Sequence, residues 1–216
     1  MPSQPLSERL SAGYRRFRAG HYSDERERYE QLAREGQKPR TMIVACSDSR
    51  SAPETIFDAG PGELFVVRNV AALVPVYAPD AKRHGASAAL EFAVLGLDVE
   101  SIVVMGHGRC GGVAAALDPA SRLTDTDFIG AWVADLRTLD ERTPALTAGG
   151  PAERQRLIEH LSVQQSLEHL RTFPWIAERE QAGRLTLHGA WFDISLGELH
   201  ALSGSEWLPQ PYDQAE

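Results

Sequence analysis

The chain has 216 residues, 43% of them hydrophobic, with two cysteines and a formal charge of −8. That length is enough for one sizeable core, and charges scattered without a lysine or arginine block exclude nucleic acid as an expected partner. The opening MPSQPLSERLSAGYRRFRAG breaks every apolar run with charge, so neither a signal peptide nor a membrane span of about 20 apolar residues is expected, and the reading is cytoplasmic.

In chain order, Leu6, Leu10, Tyr14 and Phe17 keep helical spacing, and a second, charged helix is expected with Ser23 as its N-cap. The apolar stripe of this 1–36 arm is too narrow for a core of its own, so it is expected to dock on a partner subunit. Short β-branched or apolar runs at 41–45, 64–67, 101–105 and 185–187 read as buried strands. Between them, Pro53 suits the first turn of one helix and Gly60 its stop. Another helix is predicted over 86–95, with Leu90, Ala93, Val94 and Leu97 on its apolar side. This alternation argues for an α/β fold, one domain over 1–216, with a parallel sheet and right-handed crossovers. Residues 118–183 show helical periodicity at Phe128, Trp132, Leu136 and Leu139, then at Leu157, Leu161 and Leu170. They read as a helical insertion, broken at Gly149, Gly150 and Pro151. The polar, proline-bearing tail 205–216 reads as an arm or as disordered.

The chemistry gathers at two of the predicted strand ends. One carries Cys46-Ser47-Asp48-Ser49-Arg50, the other His107-Gly108-Arg109-Cys110. Carboxyl ends of parallel strands converge on the crevice where strand order reverses. Two thiolates and one imidazole there suit Zn²⁺, and three protein ligands leave a fourth position open for water. Arg50 is close enough in sequence to clamp the Asp48 carboxylate bidentately, and Gly108, Gly111 and Gly112 allow a close backbone approach to the ion. A Cys46–Cys110 disulfide is a minority alternative. A structural zinc closed by Asp48 is another, and a phosphate loop lacks its Walker lysine. Trp132, Trp175, Trp191 and Trp207 read as packing residues. His21, His84, His160, His169, His188 and His200 read as surface or satisfied core residues.

At these residues the sequence resembles the β-class carbonic anhydrases, whose signatures Cys-x-Asp-x-Arg and His-x-x-Cys appear as Cys46/Asp48/Arg50 and His107/Cys110. The likeness runs through residues 37–50, 61–74, 85–95 and 101–112, and more weakly through 185–194. It implies one zinc per chain on Cys46, His107 and Cys110, with Asp48 and Arg50 as an orienting dyad. Gln37, Phe65 and Phe92 would line the substrate pocket, where the family usually has tyrosine in place of Phe92. The Gly111 amide joins Gln37 as a candidate donor to the product oxygen. The implied fold is a mostly parallel sheet, about four parallel strands plus an antiparallel edge strand, flanked by helices. N-terminal helices would wrap a partner, giving a homodimer, homotetramer or larger homo-oligomer. The implied activity is reversible hydration of carbon dioxide to bicarbonate. Rival readings are a carbon disulfide or carbonyl sulfide hydrolase on the same site, and a zinc-binding or redox-sensing module. Some members of the family are shut by bicarbonate held on a tryptophan, an arginine and a tyrosine, matched here to Ile43, Arg68 and Phe92. With only the arginine kept, the chain is expected to rest in the open form, Asp48 on Arg50.

Overall fold

The computed structural model describes residues 5–118, 128–143 and 150–212, and the chain divides into two compact units, Met1–Lys38 and Pro39–Glu216. In the first, helices α1 (Glu8–Ala19), α2 (His21–Asp24) and α3 (Arg26–Glu35) contain no buried residue. Aromatic contacts join them: the Phe17 ring lies 5.9 Å from Tyr22 and 6.0 Å from Tyr29, and the two tyrosines are 5.1 Å apart. That cluster accounts for a difference from expectation, since it draws Ser23 into α2 and leaves Glu25, not Ser23, ahead of α3. Leu6, Leu10 and Tyr14, spaced along one stripe, are exposed.

The second unit is built on strands β1 (Thr41–Cys46), β2 (Leu64–Asn69), β3 (Ser101–His107), β4 (Thr186–Asp193), β5 (Glu198–Ser203) and β6 (Glu206–Pro209). They form one sheet in the order β2-β1-β3-β4-β5-β6. The first four are parallel, and β5 and β6 add an antiparallel hairpin at one edge. After β2 the chain crosses back over β1 to reach β3, so strand order reverses beside β1. The carboxyl ends of β1 and β3 therefore open a crevice.

Alternation along β1 sends Met42 and Val44 to one face and Ile43 and Ala45 to the other. Met42 and Val44 join Ile102 and Val104 beneath Leu90, Ala93 and Val94, which come from α5 (Gly85–Glu91) and the wide turn that continues it, Phe92–Gly96. The helix expected after Pro53 is α4 (Pro53–Ile56), shorter than predicted because the chain turns at Asp58 with φ 47°. α6 (Gly111–Leu117), α7 (Phe128–Trp132), α8 (Ala134–Arg142), α9 (Pro151–Leu170) and α10 (Pro174–Gln181) follow β3. The described residues of the expected insertion fall mainly in helices α7 to α10, joined by short turns; Gly149, part of the predicted break, lies outside the described residues.

α9 is rotated from the expected face. Its buried residues are Ile158, Glu159, Ser162, Val163, Ser166, Leu167 and Leu170, while Leu157 and Leu161 are only partly buried. Ser162 and Ser166 are small enough to let the helix press on the sheet. Gly106 of β3 completes the contact, because a Cβ there would lie 2.8 Å from Val163 Cγ2. The tail also departs from expectation. Residues 206–209 form β6, with the Trp207 ring stacked 4.6 Å from His160, and only 213–216 lie outside the described residues. Pro209 is tolerated because β6 is an edge strand. Among the described residues no helix is long and apolar enough to cross a membrane.

A candidate metal centre at two strand ends

Cys46 is the last residue of β1, His107 the last of β3, and Cys110 precedes α6. They are 5%, 1% and 2% exposed, and their donor atoms lie within 4.8 Å of one another. Both cysteines are free and their sulfurs are 3.9 Å apart, far from the roughly 2.05 Å of a disulfide. A tetrahedral zinc with metal–sulfur bonds of about 2.3 Å sets its two sulfurs about 3.8 Å apart, so the gap is the size of such an ion.

The imidazole is set for the same task. His107 Nδ1 lies 2.9 Å from the Gly108 carbonyl oxygen, which can only accept, so Nδ1 carries the hydrogen and Nε2 keeps a lone pair. Nε2 is buried without a hydrogen-bond partner, a cost that a metal ion removes. Burial opposes charge on this ring, but the Cys46 sulfur and the Gly108 carbonyl outweigh it and raise its pKa. Metal-free, the two thiols share a proton. The Cys110 side chain stabilises a Cys46 thiolate and lowers its pKa, helped by the Asp48 backbone N–H, while Cys110 is raised as the partner that keeps the proton. The Val113 and Gly112 amides, in the first turn of α6, favour thiolate on Cys110. A divalent cation takes the place of that shared proton.

The Cys46 turn is organised mostly by its own neighbours. Arg50 donates from Nε to Asp48 Oδ1 at 2.9 Å and from Nη2 to Oδ2 at 2.7 Å, and its backbone N–H adds a bond to Oδ1 at 3.0 Å. The guanidinium holds the Asp48 carboxyl well below the usual carboxylate range. Asp48 Oδ2 stands 4.0 Å from His107 Nε2, beside the three-ligand cluster. Arg68 of β2 donates to the carbonyls of Cys46 at 2.8 Å and Asp48 at 2.6 Å. That backbone role was not foreseen in the sequence. The structure also corrects the matched anion triad. Ile43 packs with Ala45, Met105 and Ala190, on the sheet face that Leu64 and Val66 of β2 also share and toward which alternation turns Arg68. Phe92 instead packs, tilted, against Phe65, which serves the opposite face. Within one chain the three positions do not form one pocket.

The His107 turn is held by distant elements. Arg109 adopts φ 57°, a left-handed conformation uncommon for a residue with a Cβ. Glu159 of α9, 2% exposed, accepts from the Cys110 N–H at 2.9 Å, from Gln155 Nε2 at 3.0 Å and from Trp191 Nε1 at 3.3 Å. Burial raises its pKa, against those three hydrogen bonds. Gln155 Nε2 also donates to the Cys110 carbonyl at 3.1 Å. Neither Gln155 nor Glu159 is expected here from the sequence, in which Trp191 reads only as a packing residue. The available signal was a glutamate in register with Ser162, Val163 and Ser166 on a buried helix face. Two of the three glycines have reasons other than closeness to an ion. A Cβ at Gly108 would lie 3.1 Å from the Trp191 ring, and one at Gly112 2.6 Å from Val70 Cγ1. Gly111 opens α6, and a Cβ there would meet nothing within 4 Å.

Two of the predicted pocket residues are brought together, but away from the metal ligands. Phe65 and Phe92 have ring centroids 5.8 Å apart. In register, Phe65 pairs with Met42 and Asn69 with Cys46, so Phe65 lies about 13 Å down the sheet from the ligand level. Gln37 belongs to the N-terminal unit, exposed beyond α3.

A family model described as carbonic anhydrase matches residues 41–199. The chain is similar to β carbonic anhydrase 5, chloroplastic, of Arabidopsis thaliana, at 38% identity over 82% of this chain and 58% of that protein. It is similar to a carbonic anhydrase of Pseudomonas aeruginosa at 36% identity over 89% of this chain and 86% of that one. Among solved structures, the β-carbonic anhydrase CcaA superposes with a TM-score of 0.86 at 31% identity, covering 94% of this chain and 98% of that one. One of two tetrameric β-carbonic anhydrases of Sordaria macrospora gives 0.79 at 31% identity, covering 90% and 95%. With its paired thiols and imidazole at the switch point of a mostly parallel sheet, the chain belongs to the β-class carbonic anhydrases, a family of enzymes.

Proposed function

We propose that this chain catalyses the reversible hydration of carbon dioxide to bicarbonate and a proton, on one zinc ion held by Cys46, His107 and Cys110. The observation that carries the reading is the buried cluster of those three donors, with the Asp48–Arg50 pair beside it. Zinc, when bound, supplies a water acidic enough to act as a nucleophile near neutral pH and a positive charge for the product oxygen.

Asp48, fixed by two guanidinium bonds and its own turn, accepts a hydrogen bond from the attacking water and so points its lone pair at the carbon. Arg50 keeps that carboxylate ionised, so protonation of Asp48 does not contribute to the acid limb of the pH profile. The Gly111 amide, at the exposed start of α6, donates to the oxygen that gains charge. Phe65 and Phe92 supply an apolar wall across a subunit boundary. β2 is an edge strand and Phe92 is 55% exposed. A two-fold copy meeting that edge runs antiparallel to it and carries its Phe65 toward the Cys46 end. A homodimer, or a tetramer of the kind named for the Sordaria proteins, follows, with the exposed Leu6, Leu10 and Tyr14 stripe docking on the partner.

Stopped-flow hydration with zinc-loaded protein, run beside a carbon disulfide consumption assay, tests the reading. Rapid hydration that disappears on zinc removal supports it. Carbon disulfide turnover without hydration would replace it with the hydrolase reading. The resting state is the open one, because Asp48 is held by Arg50 and the Arg68 guanidinium is engaged by two backbone carbonyls. Steeply cooperative inhibition by bicarbonate would contradict that.

A further inference from the structure

The Cys110 ligand is gripped from behind by groups that the hydration mechanism does not use. Glu159 Oε1 takes the Cys110 N–H at 2.9 Å, and Gln155, one helical turn earlier, gives its amide N–H to the Cys110 carbonyl at 3.1 Å and to Glu159 at 3.0 Å. The two peptide units flanking the Cys110 Cα are therefore both tied to α9, which fixes the direction in which Cα–Cβ carries the sulfur. The other carboxylate oxygen is tied to Trp191 of β4, whose ring in turn backs Gly108 within the same turn.

Three donors meet a group that, as carboxylate, only accepts. Burying a carboxylate to 2% exposure is costly unless its partners are well placed, and here one of the three is the backbone N–H of Cys110 itself. The local backbone needs such restraint. Arg109 sits at φ 57°, and such a turn persists only when its surroundings over-determine it. We propose that Glu159, with Gln155 and Trp191, is a positioning residue that presets the Cys110 arm for the metal ion, acting through the ligand's backbone and not on substrate. This rests on the metal reading above.

The test uses the full-length zinc protein and the variants Glu159→Gln and Gln155→Leu. Gln at 159 keeps the shape but has a single accepting oxygen, so its NH2 faces either the Cys110 and Gln155 donors or the Trp191 N–H, and Leu at 155 removes the amide. Outer partners of metal ligands typically carry about 10- to 100-fold in metal affinity, so zinc release to a chelator should be at least about tenfold faster in Glu159→Gln and less so in Gln155→Leu. The visible bands of the cobalt-substituted protein should shift, a change that a purely structural role would not produce. A folded Glu159→Gln variant with native release rate and native cobalt bands would overturn the proposal. Should that variant fail to fold, Gln155→Leu decides by the same two readouts. Native protein that takes up no zinc would defeat the metal reading instead. The positioning claim is then judged on metal-free protein by hydrogen exchange at the Cys110 amide. Faster exchange in the variant supports it, and unchanged exchange refutes it.

Discussion

The two turns that bring ligands to the crevice are built in opposite ways. From Cys46 to Ser51 the bonds that fix the Asp48 side chain are local, Arg50 on its carboxylate and Ser51 on its carbonyl, while Arg68 and Asn69 of the adjacent strand and the Arg109 carbonyl tie the turn outward. From His107 to Cys110 the restraints come from α9 and β4, and the turn itself contributes a left-handed Arg109 and the His107–Gly108 contact. Under the proposed function the local turn combines holding the metal with orienting the Asp48 carboxylate. A turn held by tertiary contacts does only the holding, and its precision depends on packing elsewhere.

Removing a ligand erases the distinction and has the largest effect. Cys46→Ser and Cys110→Ser should each lose zinc and hydration activity together, and metal analysis near zero per chain is the check. Activity then separates the two turns. Asp48→Ala and Arg50→Ala should keep zinc yet lose about a hundredfold or more in kcat, a typical loss for a group acting on charge developed in the transition state. The double variant should be little worse than either single one, since the pair acts as a unit. Losses that multiply would show two independent roles.

Packing sharpens the contrast next. Gly106→Ala and Gly112→Ala force a Cβ to 2.8 Å from Val163 Cγ2 and 2.6 Å from Val70 Cγ1, and overpacking of this kind costs about 1–3 kcal/mol. Denaturant titration should show that loss, with faster zinc release as the strain reaches the His107 turn. No glycine lies between Cys46 and Ser51, so the local turn offers no comparable weak point.

The smallest effect is one of pH. His160 packs between Trp191 and Trp207, and burial, with Arg156 and His200 adding to it, holds its pKa down to about 4. Its value in the unfolded chain is about 6.5. As pH falls, the unfolded chain therefore binds the proton first. The stability this ring contributes is complete above about 6.5 and is withdrawn between about 6.5 and 4. The ring is only partly buried, so the loss is about 1–2 kcal/mol after solvent screening. His160→Phe should flatten the fall in stability between pH 7 and 4 relative to the native chain. An unchanged slope would remove His160 from the acid response.

The sequence by itself determined the candidate ligands Cys46, His107 and Cys110, the Asp48–Arg50 pair and the parallel core strands. Each of these is written in short spacings, in strand runs, or in a chemistry that only Cys and His supply. Tertiary structure alone decided the grip on Cys110, because Gln155, Glu159 and Trp191 share no spacing with it and meet only when α9 packs across β3 and β4. It also decided that Glu206–Pro209 becomes a strand, since β6 exists by pairing with β5 and seating Trp207 on His160. Ile43 and Phe92 were likewise parted by strand alternation and helix packing, which sent them to opposite faces of the sheet. Local chemistry names the atoms that hold an ion, and the direction in which they point is set by contacts made after the chain has folded.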